Sequence, residues 1–317
     1  MHTPSTDTAG LSTLDSICWV MDHPRRPLDF TVVLHLEKAP DIKALEAGAK
    51  SARNLYATTG SYLDGKQWVR FAEPEAGVTA VEATSNVTIA RASEAFVDSP
   101  LDPRRQVPVQ QLVIVDRANG KTKLLTRFHH AVADYMSAML WLRHQLGVAC
   151  GQQSPVAAVS PFQALPLRRH PSPAKKSPFA YRRPAHQLWG LRARPSRARR
   201  WRTIEVPAAD LRDRSRKANG FTYNDLLATC ALEVFVRWNQ VCTSSPRRKV
   251  GLLMPVNIRQ QPFEGFGNGA SRIRIYARYA DDASLLDKCR QIRRQIIERC
   301  AEAGGKTDLR RPALGQC

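Results

Sequence analysis

A chain of 317 residues, 43% of them apolar, is long enough to build one large core or two smaller ones. Seven cysteines, an odd number without paired spacing, read as reduced thiols rather than a disulfide framework, and no apolar run approaches membrane-spanning length. With no basic-plus-apolar leader at Met1-His2-Thr3-Pro4, a soluble cytoplasmic protein is expected, and a formal net charge of +20 makes the placement of its cations the question.

Leu11 to Ser16 opens a short helix pattern through Ile17, Trp19, Val20 and Met21, which Pro24 and Pro27 end. Phe30 to Leu36 alternates as a strand, and Ile42, Leu45, Ala49 and Ala52 lay an amphipathic helix over 41–53. Strand-like pieces follow at Gln67–Phe71 and at Val87-Thr88-Ile89. Beyond the Ser99-Pro100-Leu101-Asp102-Pro103 loop and Pro108, a clear strand runs from Val109 to Val115. The turn signal Asn119-Gly120 leads into a strand over 122–128. Met136, Met139, Leu140 and Leu146 then fall near helical spacing, with Gly147 as the stop.

Between that strand and that helix sit Phe128-His129-His130-Ala131-Val132-Ala133-Asp134-Tyr135. Adjacent residues at a strand end point to opposite sides, so His129 and His130 cannot share one job: one faces a cavity and the other is held in the wall. Asp134 either lies beside His130 across a turn of helix or braces the loop through an arginine. An imidazole titrates near neutrality, which suits it to take a proton from an alcohol, amine or thiol. His144 and His186 read as ordinary core or surface residues. A zinc site needs three or four converging ligands, and with no Cys-x-x-Cys or His-x-x-x-His no metal is expected.

Residues 150–202 hold ten Arg, two Lys, eight prolines and no acidic residue. Such a stretch cannot run as a continuous helix or a central strand, and it reads as a crossover linker between two halves. Its cations are either simply solvated or attract anionic lipid headgroups, the phosphates of coenzyme A, or nucleic acid. Phe179, Tyr181, Trp189 and Trp201 favour a membrane surface, because aromatic rings sit well at a lipid boundary. Nucleic acid ranks second, with no zinc finger, helix-turn-helix or RNA-binding signature beside the cations.

The second half opens with a strand at Thr203–Val206 and a charged surface helix over 208–218. Thr222 caps the next helix, with Asp225 three residues on, and Leu227, Cys230, Ala231, Val234 and Trp238 form its buried stripe. Val250 to Arg259 is an apolar strand leading into a turn, followed by Gly265-Phe266-Gly267-Asn268-Gly269-Ala270-Ser271 and a strand from Arg272 to Tyr279. Those glycines let backbone approach a ligand closely, and the side chains of Asn268 and Ser271 suit donation to a developing oxyanion. The competing reading is a glycine-rich hairpin loop. A last helix over 284–303 puts Leu285, Cys289, Ile292, Ile296 and Cys300 on one face, and the tail after Gly304-Gly305 reads as disordered.

The His129-His130-x-x-x-Asp134 run resembles the His-His-x-x-x-Asp-Gly signature of an acyltransferase superfamily. That group includes chloramphenicol acetyltransferase, peptide-synthetase condensation domains and the bacterial wax ester synthase/diacylglycerol acyltransferases. The Pro100-Leu101-Asp102 loop is similar to one that precedes the His motif across the superfamily, and the Leu11-Ser12-x-Leu14-Asp15 start and Asn224-Asp225 are similar to wax ester synthase-like enzymes. So is the Pro255-Val256-Asn257-x-Arg259 stretch with its later Gly267-Asn268-x-x-Ser271.

The resemblance implies an α/β fold of two chloramphenicol acetyltransferase-like halves around a central channel. The halves are 1–149, with the His motif, and 203–317, shortened because complete members continue with further strands; 150–202 is the linker. It implies His130 as general base, His129 as its neighbour in the wall and Asp134 as the brace, with Tyr135, Asn224, Asp225, Asn268 and Ser271 toward substrate. Tyr135 stands where the signature has Gly, and a bulky ring there would narrow the channel. The implied activity moves an acyl group from acyl-CoA, as co-substrate without further cofactor, to a fatty alcohol or diacylglycerol by direct attack. The alternatives are condensation-like transfer from a carrier protein to an amine, and a catalytically silent basic binding protein. Expected partners are acyl-CoA, a lipid alcohol, a carrier protein and an anionic membrane surface, to which the cytoplasmic protein would be peripheral, with nucleic acid disfavoured.

Overall fold

In a computed structural model of the chain, the structure describes residues 4–22, 27–75, 77–152, 207, 209–210, 220–242, 249–259, 265–278 and 283–302. The expectations for the basic linker beyond 152, His186, the Thr203–Val206 strand, most of the 208–218 helix and the tail from 303 lie outside the described residues. Two compact units form: described residues 4–152 with 265–269 make one, and those of 207–259 with 270–302 make the other.

The first unit is centred on a four-stranded sheet of β2 (Asp29–Leu36), β5 (Val78–Ala83), β6 (Val109–Asp116) and β7 (Thr122–His129), in the order β2-β7-β6-β5. A smaller sheet joins β1 (Pro4–Gly10), β4 (Gln67–Phe71) and β3 (Ser61–Asp64). β6 and β7 form a hairpin through Asn119-Gly120, where Gly120 takes φ +70° and Asp116 N–H donates to the Lys121 carbonyl at 2.9 Å. β7 has β2 on one edge and β6 on the other, with Asp29 opposite His129 and Val109 opposite Phe128. Paired on both edges and covered on both faces, it is buried at every position except Lys123. The strand that delivers the two histidines is therefore held rigidly.

Helices cover the two faces. On one, α2 (Ile42–Leu55) and α4 (Tyr135–Ala149) pack together over Phe128, Val113 and Leu124. Their approach is close: a Cβ on Gly48 would lie 2.4 Å from the Gln145 carbonyl oxygen, so only glycine fits. Gln145 donates to the Leu45 carbonyl at 3.1 Å and exchanges amide hydrogen bonds with Gln111, which also donates to Thr126 at 2.8 Å. Trp141 is fully buried, edge-on to Phe128 at 5.7 Å, with its Nε1–H on Thr59 Oγ1 at 3.2 Å. Burial of an aromatic or aliphatic side chain such as Phe128 stabilises by about 1.5–3 kcal/mol.

On the other face lies α3 (Asn86–Asp98), with Ile89 against Ala83, Leu112, Ile114 and Leu125. This corrects the strand expected at Val87-Thr88-Ile89. Ser85 and Thr88 form a reciprocal capping box, and Ile89, Ser93 and Val97 recur at helical spacing on the buried side. Three β-branched residues in a row are too short a run to outweigh a capped helix that buries a face. Arg127, on this side of β7, is 2% exposed; it donates to the Phe96 and Ser99 carbonyls and pairs with Asp29 at 2.5 Å. Gly147 is not the stop of α4: the helix runs to Ala149, and Gly151, at φ +73°, ends it.

The second unit pairs β8 (Lys249–Asn257) antiparallel with β9 (Ala270–Arg278), Val250 opposite Ala277 and Asn257 opposite Ala270. α5 (Tyr223–Cys242) and α6 (Leu285–Glu302) bury Ala228, Leu232, Val236, Ile292 and Ile296 against Val250, Ile273 and Ile275. The stripe expected to be buried on α5 is the wrong one. Leu227, Val234 and Trp238 are 56%, 61% and 50% exposed, and Cys230 is exposed. The helix is apolar on two faces, and the sheet takes the face carrying Leu232 and Val236. No helix among the described residues is long and apolar enough to cross a membrane.

Candidate active site

β7 ends at His129, residues 130–132 turn, and α4 begins at Tyr135. Since 130–134 is not helical, Asp134 does not sit across a helical turn from His130. It is the N-cap of α4: Oδ1 accepts the Ser137 N–H at 3.1 Å. Its Oδ2 accepts the Gly269 N–H at 2.9 Å, and the carboxylate is 4% exposed. The brace thus includes two main-chain amides, one from α4 and one from a loop far along the chain.

His129 is built into the wall. Its Nδ1 accepts the Ala131 N–H at 3.1 Å, which assigns the ring proton to Nε2. Nε2 points at Asp22 Oδ2 from 3.6 Å, an ionic approach too long for a hydrogen bond, and the ring is 1% exposed with Trp19 6.1 Å away. Burial raises the Asp22 carboxyl, but His129 and the Leu28 N–H outweigh it and leave the group below its ordinary value.

His130 is half-buried and its main chain is held at both ends. Its N–H donates to the Leu28 carbonyl at 2.8 Å, and its carbonyl accepts from Asn268 Nδ2 at 2.8 Å. The ring meets the edge of Phe30 at 5.4 Å, and Nδ1 lies 3.8 Å from Cys18 Sγ on α1 (Thr13–Met21). Nε2 makes no hydrogen bond among the described residues. One histidine is built into the wall; the other is half-buried, with one ring nitrogen against a thiol.

The loop 265–269 closes on this turn. Gly267 and Ser137 exchange two hydrogen bonds, N–H to Oγ at 2.9 Å and Oγ–H to the carbonyl at 2.7 Å, and Phe266 stacks on Tyr56 at 4.5 Å. Gly267 has φ +132°, so the glycine is required there. Asn268 is 6% exposed and donates to Asp15 Oδ1 at 2.6 Å as well as to His130, while its Oδ1 has no hydrogen-bond partner among the described residues. Both amide protons are therefore occupied by protein acceptors. This differs from the donor geometry expected of Asn268: its amide protons hold the His130 carbonyl and Asp15, and its Oδ1 is buried.

The other expected substrate residues are spread over both units. Tyr135 is the first residue of α4 and 62% exposed, and no ring contact joins it to His130 among the described residues. Ser271 is half-buried in β9, opposite Val256, and Asn224 is exposed at the start of α5. Asp225 is fully buried, with Oδ2 accepting both the Thr222 N–H at 2.8 Å and Arg293 of α6 at 2.8 Å. Its place is structural. Sequence reasoning misses Cys18 and Ser137, which no motif or spacing singles out.

No protein-family model and no curated protein matches the sequence. Solved structures do. The first condensation domain of the calcium-dependent antibiotic synthetase, in complex with a substrate analogue, is 13% identical with a TM-score of 0.67, over 95% of this chain and 77% of that one. The starter condensation domain of rhizomide synthetase in complex with C8-CoA and Leu-SNAC is 13% identical with a TM-score of 0.59, over 96% and 75%. The X-domain from teicoplanin biosynthesis is 14% identical with a TM-score of 0.57, over 96% and 73%. What is shared at these identities is the fold, the mixed α/β, chloramphenicol acetyltransferase-like fold of condensation domains.

Proposed function

We propose that the protein is an acyltransferase in which His130 is the general base, moving an acyl group from acyl-CoA to a hydroxyl. The observation that carries this is the setting of His130: main chain held at both ends, Nδ1 against a sulfur, Nε2 without a hydrogen bond among the described residues. With Nδ1–H turned to Cys18 Sγ, Nε2 keeps its lone pair and takes the proton of a hydroxyl attacking the thioester carbonyl. The imidazolium then protonates the departing thiolate, so no covalent acyl-enzyme is needed. A positioned base of this kind contributes about 10²–10⁴-fold. His129 backs the turn from the wall, and Asp134, Asn268 and Ser137 keep it in shape. The acyl-CoA donor draws support from the rhizomide synthetase domain solved with C8-CoA. The hydroxyl acceptor rests on the wax ester synthase-like motifs.

A second reading, transfer from a carrier-bound thioester to an amine, is favoured by the condensation domains among the solved relatives, one of them holding Leu-SNAC. One assay separates the two. Purified protein is given long-chain acyl-CoA with a fatty alcohol, a diacylglycerol or an amine, and released thiol is measured. Release driven by a hydroxyl acceptor is the expected result, release driven only by the amine selects the second reading, and none with any acceptor contradicts both.

A further inference from the structure

We infer that Cys18 is a covalent modification site, where the thiol paired with His130 is capped by a low-molecular-weight disulfide and the cap silences the imidazole. The effect on turnover rests on the function proposed for His130; the modification itself does not.

Cys18 Sγ lies 3.8 Å from His130 Nδ1, within reach of a hydrogen bond to sulfur. Both partners are held. α1 is fixed by the reciprocal Ser12–Asp15 capping box and by Asn268 donating to Asp15, and the His130 ring by its main-chain bonds and the Phe30 edge. The carboxylates that share α1 or its end turn elsewhere, Asp15 to Asn268 and Asp22 to His129 and the Leu28 N–H. When Nδ1 carries the lone pair, the imidazole takes the thiol proton, and the resulting thiolate is the reactive form. Cys18 is half-buried, so a small reagent reaches it.

The other described thiols differ. Cys150 and Cys230 are exposed, whereas Cys289 and Cys300 are buried, and burial with the nearby Asp225 charge pushes the Cys300 thiol up to about 11. Exposure alone would rank Cys150 and Cys230 first; activation by a held imidazole ranks Cys18 first.

The step balances without a further oxidant. The Cys18 thiolate attacks one sulfur of R–S–S–R, the disulfide bond breaks, the mixed disulfide Cys18–S–S–R forms, and R–S⁻ leaves with the proton His130 received. The product turns the thiol into a disulfide sulfur, a poorer acceptor for the Nδ1 proton, and sets R beside the ring. A thiol reductant reverses it.

The test uses the full chain, and labelling is read without substrate. Wild type, His130→Ala, His130→Gln and Cys18→Ser are incubated with 2-hydroxyethyl disulfide at neutral pH, and adducts are timed by peptide mass spectrometry. Cys18 is expected to react about tenfold faster than Cys150, and to slow to the pace of an ordinary thiol in both His130 variants. Thiol release from acyl-CoA should fall as the Cys18 adduct forms and recover with reductant, while release by Cys18→Ser is insensitive to the disulfide. Cys18 reacting no faster than Cys150, or equally fast without His130, would overturn the inference. Because labelling is read without turnover, absence of acyl transfer would count against the proposed function and leave the modification standing; acyl transfer without selective labelling would do the reverse.

Discussion

Asp134 and Asp225 stand at the heads of α4 in the first unit and α5 in the second, each shielded almost wholly from water, Asp134 as the cap that accepts the Ser137 N–H and Asp225 as the partner that accepts the N–H of the cap Thr222. Beyond the cap they diverge. Asp134 also takes the Gly269 N–H, drawing a loop 135 residues away over the turn that holds His130. Asp225 also takes the Arg293 guanidinium, which ties α5 to α6, and its charge helps keep the Cys300 thiol protonated. The two ends of a capping motif thus shape the turn that holds His130 in one unit and a core in the other. What decides is whether the carboxylate's remote partner lies on a loop beside a titratable ring or on the neighbouring helix.

This contrast predicts that the two aspartates fail differently. Asp225→Ala should give the largest loss of stability, about 3–5 kcal/mol, because it strands a partly buried cation as well as removing the partner of the cap Thr222. A denaturant midpoint that hardly moves would contradict the structural role. Asp134→Ala should cost less in stability, about 1–2 kcal/mol for the cap, but more in thiol release per folded molecule. If Asp225→Ala were the one to lose turnover while staying folded, the assignment of the two roles would be reversed. Asn268→Ala removes two donated bonds and should cost on the order of 1–2 kcal/mol, with a further fall in release because the His130 carbonyl is freed. Unchanged stability and release together would remove the loop from the account.

The smallest expected effect is a pH dependence confined to the first unit. His144 is held by Ser51 at 2.9 Å, and burial depresses its pKa below the ordinary imidazole value. A group depressed in the folded state contributes stability above its unfolded pKa and loses it as pH falls through the folded one. Acidification below about 6.5 should therefore lower stability, and His144→Gln should flatten that slope. Chemical denaturation from pH 7 to 5 reads both, and an identical slope in the variant would show that His144 is not the group responsible.

How far the sequence speaks depends on whether the deciding interaction is local. The strand–turn–helix around His130 is legible because Asn119-Gly120 marks the hairpin and α4 shows its spacing, and the Thr222–Asp225 cap is legible for the same reason. Val87-Thr88-Ile89 misleads because β-branched residues favour a strand, while the Ser85–Thr88 box, equally local, favours the helix that forms. α5 misleads differently: it carries apolar residues on two faces, and only the sheet it packs on chooses between them. The loop over the turn that holds His130 is not legible at all. Asn268 lies 138 residues from His130, and no periodicity records that its amide reaches that carbonyl. Cys18 is an unremarked position of a short helix until its distance to Nδ1 is known.

The central claim is that Nε2 of His130 removes the proton of the attacking group. Its most direct test is thiol release from acyl-CoA by wild type and His130→Ala at saturating acceptor, both shown to be folded by circular dichroism. The account predicts that the variant loses about 10²–10⁴-fold in rate. Release by the folded variant at the wild-type rate would contradict it.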